Sequence, residues 1–276
     1  MRPTVAEKRA VFRRLHQDGC FVIPNPWDVG SAVMLQSLGF KALASTSAGM
    51  AWTLGRPDNG VRREDVLVHL AALVEAVDVP VNADYENAFA DDPEGVAASV
   101  GLAAGTGIAG LSVEDSTGDR DAPLYDFTLA VERVAAARAA LDADGGGVLL
   151  TARSEGFITG RPDLDETIRR LRAFADAGAD CLYAPGIRED AQVAAVVQAV
   201  APKPVNVLTL GTPVDALAAL GVRRISVGGS LARAAYGEFL RAAREIAQDG
   251  HFTAFARAAP SKELNGFFAG PKPGER

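Results

Sequence analysis

The sequence predicts an α/β protein, a (β/α)8 TIM-type barrel with extra C-terminal helices. Short apolar runs rich in β-branched residues alternate with longer Ala- and Leu-rich segments of helical period, the pattern of repeated βα units around a parallel sheet. The runs number eight, at 21–24, 42–45, 79–83, 110–113, 148–152, 181–184, 205–208 and 225–227. The chain has 276 residues and is 48% hydrophobic, which suits one barrel of roughly 250 residues. A single domain over 1–276 is expected, with 231–276 as a C-terminal helical extension.

The elements follow in order from local signals. Segments 66–77, 128–141 and 164–177 carry apolar residues at helical spacing. Asp92-Pro93, Asp163 and Thr212-Pro213 supply capping or first-turn residues. Gly39, Gly178 and Gly221 stand just before strands, where a helix wants a left-handed C-cap. Eight such units favour a closed barrel over an open doubly wound sheet. After the eighth strand, segments 231–248 and 251–257 continue as helix or tail, able to cap the barrel or pack on a neighbouring subunit.

A net charge of -7 and a pI near 5.1 leave no basic footprint for nucleic acid or an anionic membrane surface. No apolar run approaches the ~20 residues of a membrane span, and the first residues are charged rather than signal-like. A cytoplasmic protein acting on a small molecule is expected. Cys20 and Cys181 are far apart among apolar neighbours and read as reduced, structural thiols. His16, His69 and His251 lie in helical or terminal stretches, away from the predicted rim, and are not expected to be catalytic.

In this fold chemistry sits at the C-terminal ends of the strands. Strand two runs into Ser45-Thr46-Ser47-Ala48-Gly49, strand three into Asn82-Ala83-Asp84-Tyr85-Glu86-Asn87, strand four into Glu114-Asp115-Ser116 and strand five into Ala152-Arg153-Ser154-Glu155. Asp84 and Glu114 either converge on a hard divalent cation, with Asp58 joining through water, or cap helices and pair with an arginine. Arg153 either grips a substrate carboxylate with its fork or pairs with Glu114 or Glu155. The backbone N–H groups of Ser47 to Gly49 form a cradle suited to a carboxylate or oxyanion.

Taken in order, these residues resemble the isocitrate lyase and phosphoenolpyruvate mutase superfamily. The resemblance rests on Pro24-Asn25-Pro26-Trp27-Asp28, Ser47-Ala48-Gly49, Pro57-Asp58, Asn82-Ala83-Asp84, Val113-Glu114-Asp115, Ala152-Arg153-Ser154 and Val205-Asn206. It implies a magnesium ion organised by Asp58, Asp84 and Glu114, with Ser47, Ala48, Gly49, Asn82, Arg153 and Asn206 binding a small 2-oxo or phosphono carboxylate. The implied reaction makes or breaks a C–C or P–C bond next to a pyruvate unit through an enolpyruvate anion. A homotetramer with exchanged final helices is also implied, and Phe252, Phe255, Leu264, Phe267 and Phe268 offer the apolar surface for it.

Two departures narrow this. Asn82 stands where the family has the first Asp of Asp-x-Asp, and the Gly-rich continuation is replaced by Tyr85-Glu86-Asn87-Ala88-Phe89. The segment after strand four reads Ser116-Thr117-Gly118-Asp119-Arg120, without the Cys of the lyase lid. Thiol-dependent isocitrate or methylisocitrate cleavage is therefore not expected, and Arg120 stands as the lid's candidate catalytic cation. A mutase-like or oxaloacetate decarboxylase-like enzyme leads. The alternatives are a magnesium lyase or aldolase for another 2-oxo acid, and a barrel that binds a carboxylate without turnover. Selectivity is expected from the lid and from apolar contacts such as Trp52 and Leu54.

Overall fold

The computed structural model describes residues 2–143, 145 and 147–269; residues 270–276 of the expected extension lie outside them. Eight parallel strands form one sheet: β1 (Phe21–Ile23), β2 (Leu43–Ala44), β3 (Val81–Asp84), β4 (Gly110–Glu114), β5 (Leu149–Arg153), β6 (Cys181–Tyr183), β7 (Val205–Leu208) and β8 (Arg224–Ser226). Their order is β1-β8-β7-β6-β5-β4-β3-β2, so β1 and β2 stand at the two ends. The Ala44 N–H donates to the Pro24 carbonyl at 3.1 Å across that seam. The buried Asn25 amide finishes the closure. Its Nδ2 donates to the Ser45 carbonyl at 2.9 Å, and its Oδ1 accepts from the N–H groups of Val227 and Gly228 at 3.0 and 2.9 Å. This is the predicted (β/α)8 barrel.

Helices between the strands are α2 (Val29–Ser37), α3 (Ser47–Thr53), α4 (Arg63–Ala76), α5 (Pro93–Ala104), α6 (Phe127–Ala143), α7 (Leu164–Asp176), α8 (Asp190–Val200) and α9 (Val214–Ala219). Asp92 and Asp163 cap α5 and α7 as their side chains predict, accepting from Gly95 at 2.8 Å and Glu166 at 3.0 Å. Thr212 does not cap α9; Pro213 occupies that position, and the Thr212 N–H is held by Thr209 Oγ1. The third strand starts at Val81 rather than 79, because Pro80 has no N–H to give to a ladder. The eighth starts at Arg224, one residue early, with a charged side chain turned into the barrel that no apolar pattern would mark.

Helix α1 (Val5–Leu15) precedes the first strand and was not apparent from hydrophobic spacing. It plugs the N-terminal end: Phe12, fully buried, packs with Ile23, Ala42, Ala109, Leu149 and Cys181. The main core lies between the barrel and its outer helices, with Leu70, Leu73, Val100, Leu111, Leu150 and Phe174 all inaccessible. After β8 come α10 (Ser230–Asp249), a 3-10 turn at Thr253–Arg257 and α11 (Ser261–Phe268), which lies against α2 of the same chain. Among the described residues no helix is long and apolar enough to cross a membrane.

Candidate active site

Side chains of a strand alternate faces, so alternate residues point into a barrel. Asn82 and Asp84 of β3, Asn206 and Leu208 of β7, and Arg224 and Ser226 of β8 all line one cavity of about 180 Å3, joined by Asn25, Ser47, Ala48, Asp58, Ser112, Arg153 and Tyr183. These positions include the strand ends, where the fold places chemistry.

Arg153 organises this cavity. Its Nη1 reaches Asp84 at 2.7 Å and its Nη2 reaches Glu114 at 3.1 Å, while Nε and Nη2 grip Glu155 at 2.7 and 3.2 Å. The fork expected for a substrate carboxylate is therefore spent on Glu155. Arg153 has five N–H groups; one on Nη1 remains for a ligand. Glu155 is held from behind, since its N–H donates to Asp115, whose other oxygen takes Arg170 of α7 at 3.0 Å.

The cluster is acid-rich. Burial, opposed by Arg153 and reinforced by Glu155, Asp84 and Glu86, raises the Glu114 carboxyl well above the usual range. Burial also raises Glu155. Glu86 is pushed up to about 8 by burial and by the charges of Asp84 and Asp58. The Asp58 carboxyl, at the cavity rim, is raised by desolvation and Asp84, against the Ser47 hydroxyl that lowers it. A site with this much crowded negative charge is one that a cation would relieve.

Asp84, Glu114 and Asp58 do not form a closed cage. Among the described residues no three acidic, His or Cys side chains are placed to hold an ion together. The reason is Arg153, which lies between Asp84 and Glu114 and bonds both. What remains is a set of hard oxygen donors on adjacent strands. That fits magnesium, which is commonly held by one or two carboxylates with water and substrate completing its shell.

The Ser47–Gly49 cradle is the first turn of α3, with Thr46 as N-cap, rather than a loop. The Ser47 N–H is already given to Asp84 Oδ2 at 2.9 Å and the Gly49 N–H to Thr46 Oγ1 at 3.3 Å. Gly49 is buried away from the cavity, where a Cβ would lie 2.6 Å from Thr46 Cγ2 and 2.8 Å from Trp27 Cβ. Ala48 lines the cavity with its N–H still to give.

Asn82, 4% exposed, has a buried Oδ1 with no hydrogen-bond partner among the described residues. Asn206 accepts from Arg224 Nε at 2.8 Å and donates to Ser226 Oγ at 3.0 Å. Because a guanidinium only donates, Arg224 fixes which way that amide faces. Arg120 is exposed on the segment after β4 and does not line the cavity. Trp52 and Leu54 do not line it either; Trp52 packs edge-on against Tyr236 of α10.

Sequence reading missed several residues. Arg224 is 3% exposed, contacts Thr151 Oγ1 at 3.0 Å and His16 Nε2 at 3.3 Å, and has no carboxylate partner among the described residues. Tyr183 and Glu86 were likewise unassigned, and only the position of Tyr183 at a strand end signals it, whereas Glu155 was named in the sequence as a possible partner of Arg153 and is one. The loop after β3 holds its shape without glycine. Glu86, Ala88 and Phe89 have φ of 48°, 62° and 56°, and the buried Arg133 of α6 donates to the carbonyls of Asn87, Ala90 and Asp91. His16 and His69 are away from the cavity, and the free Cys181 and Cys20 lie at the strand starts.

The profile of the Phosphoenolpyruvate phosphomutase family matches residues 12–247. A Burkholderia cenocepacia J2315 protein provisionally assigned as a lyase/mutase is 51% identical, with a TM-score of 0.93 over 97% of both chains. The uncharacterized protein Rv1998c of Mycobacterium tuberculosis H37Rv is 31% identical over 92% of this chain and 94% of its own. An oxaloacetate decarboxylase of Pseudomonas paraeruginosa PA7 is 30% identical over 80% of this chain and 79% of its own. With a barrel, a carboxylate-ringed mouth and a family match over most of its length, the chain belongs to the phosphoenolpyruvate mutase family within the isocitrate lyase/phosphoenolpyruvate mutase superfamily, and is an enzyme of lyase or mutase type.

Proposed function

We propose that the enzyme is magnesium-dependent and makes or breaks a C–C or P–C bond next to a pyruvate unit, by way of an enolpyruvate anion. The observation that carries this is the meeting of Asp84, Asp58 and Arg153 in a cavity of about 180 Å3 at the strand ends, with Glu114 outside its lining and paired to Arg153, a size suited to a small carboxylic acid.

Asp84 and Glu114 would hold the ion, with Asp58 reaching it through water. When bound, magnesium supplies electrophilic polarisation of an oxo group. The chain's own residues do the rest. The Ala48 N–H and the remaining Arg153 N–H offer donors to carboxylate or oxo oxygens, and the Asn206 amide is turned by Arg224 so that its N–H group faces away from the guanidinium. Arg224 is a buried positive charge without a counter-charge among the described residues, which favours an anion above it. Glu86, whose carboxyl is raised by burial and by the charges of Asp84 and Asp58, is buried on the loop after β3 and does not line the cavity. Closure of the segment after β4 would exclude water from the anion.

The test is a panel of 2-oxo and phosphono acids with magnesium, followed by proton NMR. Pyruvate should appear from at least one, and Asp84→Ala should abolish it with the fold intact. Equal turnover in excess chelator would remove the magnesium assignment. We further propose a tetramer in which the apolar faces of α10, the 3-10 turn and α11 meet neighbouring barrels, since Phe239, Phe252, Phe255 and Phe268 are all more than half exposed. A monomer mass by light scattering at micromolar concentration would refute it.

A further inference from the structure

A second chamber opens beside the first. It measures about 400 Å3 against about 180 Å3 for the cavity over the carboxylates, and the two share Arg153, Tyr183 and Leu208 as a common wall. Three loops at the strand ends build it: the one after β5 with Ile158, the one after β6 with Pro185 to Arg188, and the one after β7 with Thr209 to Thr212. All three leave the barrel at the face where the fold binds substrate.

Its lining is apolar in a way that the chain leaves unfinished. Val207, Ile187 and Leu217 form a buried floor, whereas Ile158 and Leu210 are 54% and 61% exposed although they line a concavity. Apolar side chains set around a concavity are the common lining of a ligand site. The approach of the walls is built in: Gly186 has φ +91°, and a Cβ there would lie 2.7 Å from Ile158 Cγ2. Only glycine lets the loops after β5 and β6 meet this closely.

The charge of the chamber is one-sided. Its charged residues are Arg153 and Arg188, and no Asp or Glu lines it, in a chain with 35 acidic against 28 basic residues. Arg153 is neutralised by Asp84, Glu114 and Glu155. Arg188 is exposed at the mouth, with no ion-pair or hydrogen-bond partner among the described residues. An exposed arginine alone means little. Here it closes the far side of an apolar chamber whose near side is the reaction cavity.

We propose that the side chamber receives the group carried on C3 of the pyruvate unit, and that this group is an apolar arm longer than the single carboxylate of oxaloacetate, ending in an anion bound by Arg188. The inference rests on the proposed function, because the pyruvate unit must occupy the first cavity for the arm to enter the second. Tyr183 and Leu208 would then flank the bond that is made or broken. Selectivity would lie in Ile158, Leu210 and Arg188 rather than in Trp52 and Leu54.

The test is isothermal titration of the full chain with magnesium, using pyruvate, 2-oxohexanoate and 2-oxoadipate as probes. The expected affinity order is 2-oxoadipate, then 2-oxohexanoate, then pyruvate. Arg188→Gln should weaken 2-oxoadipate about tenfold and leave 2-oxohexanoate unchanged, as loss of one charge-assisted contact requires. Leu210→Trp, which narrows the chamber from an exposed position, should weaken both arm-bearing acids and spare pyruvate. Equal binding of 2-oxoadipate by Arg188→Gln and the wild type, or tighter binding of pyruvate than of either longer acid, would overturn the inference while leaving the proposed function standing. Failure of pyruvate itself to bind in the presence of magnesium would remove the proposed function, and the arm site with it.

Discussion

Replacing Arg153 with lysine keeps the charge and removes the fork. In the structure the guanidinium makes four contacts, to Asp84, Glu114 and twice to Glu155. An ammonium on a linear stem cannot span three carboxylates placed around a planar group. Glu155 loses most, because its side chain is 2% exposed and both its oxygens are held by Arg153. Breaking a buried pair by removing one partner costs about 3–5 kcal/mol; the residual attraction of the lysine puts Arg153→Lys near the lower end, about 3 kcal/mol.

The cost has a predictable pH dependence. Burial already raises Glu114 and Glu155, and Arg153 is the main influence pulling them down. Lysine keeps a positive charge near both but not the two forked hydrogen bonds to Glu155, so the Glu155 carboxyl rises further and the folded variant binds more protons than the wild type. A group whose folded pKa is raised gives stability that is complete at low pH and lost as pH rises. The destabilisation of Arg153→Lys should therefore grow as pH rises above the ordinary glutamate value of 4.5, by up to ~1.4 kcal/mol per pH unit. Urea unfolding at a series of pH values measures it. The proposed role adds a loss of about 100-fold in kcat/KM, which is ~2.7 kcal/mol of transition-state stabilisation. A cost that is flat with pH, or wild-type kinetics, would show that the four contacts do not act as one buried ion cluster.

Arg133→Met should cost about 3 kcal/mol, because three charge-assisted bonds to carbonyls vanish and the left-handed residues Glu86, Ala88 and Phe89 lose their clamp; amide exchange at Ala88 and Phe89 should accelerate, and a loss under about 1 kcal/mol in urea unfolding would contradict this. His16 is held down to about 3, chiefly by burial and then by Arg224. Its folded form resists protonation, so stability is complete above the ordinary value of 6.5 and declines as pH falls toward about 3; His16→Gln should flatten that acid decline, and an unchanged slope would count against it. The Cys20→Ser, Cys181→Ser double variant should keep its catalytic rate, since neither thiol lines the cavity and burial raises both; inactivation by thiol reagents that substrate prevents would refute it.

The sequence by itself determined the barrel. Strand and helix periods differ, 2 against 3.6, and are written into runs of neighbouring residues, so the eight strands could be read with shifts of a residue or two. It also marked Asp84, Glu114 and Arg153, because charged residues at the ends of apolar strands need a mouth or a partner. What the sequence left open was which of these happened, and here the tertiary structure decided. Arg153 meets Asp84 across 69 positions and Arg224 meets His16 across 208. Such pairings depend on barrel closure and strand stagger, which no local window contains. The same holds for the glycine-free loop after β3, whose backbone is held from α6 more than forty residues away. It holds too for Arg120, which the sequence put at the site and the fold leaves exposed outside the cavity. Local patterns specify which face of an element is buried; only the folded chain sets which charges meet there, because charge pairing acts over ångströms in space and not over residues in sequence.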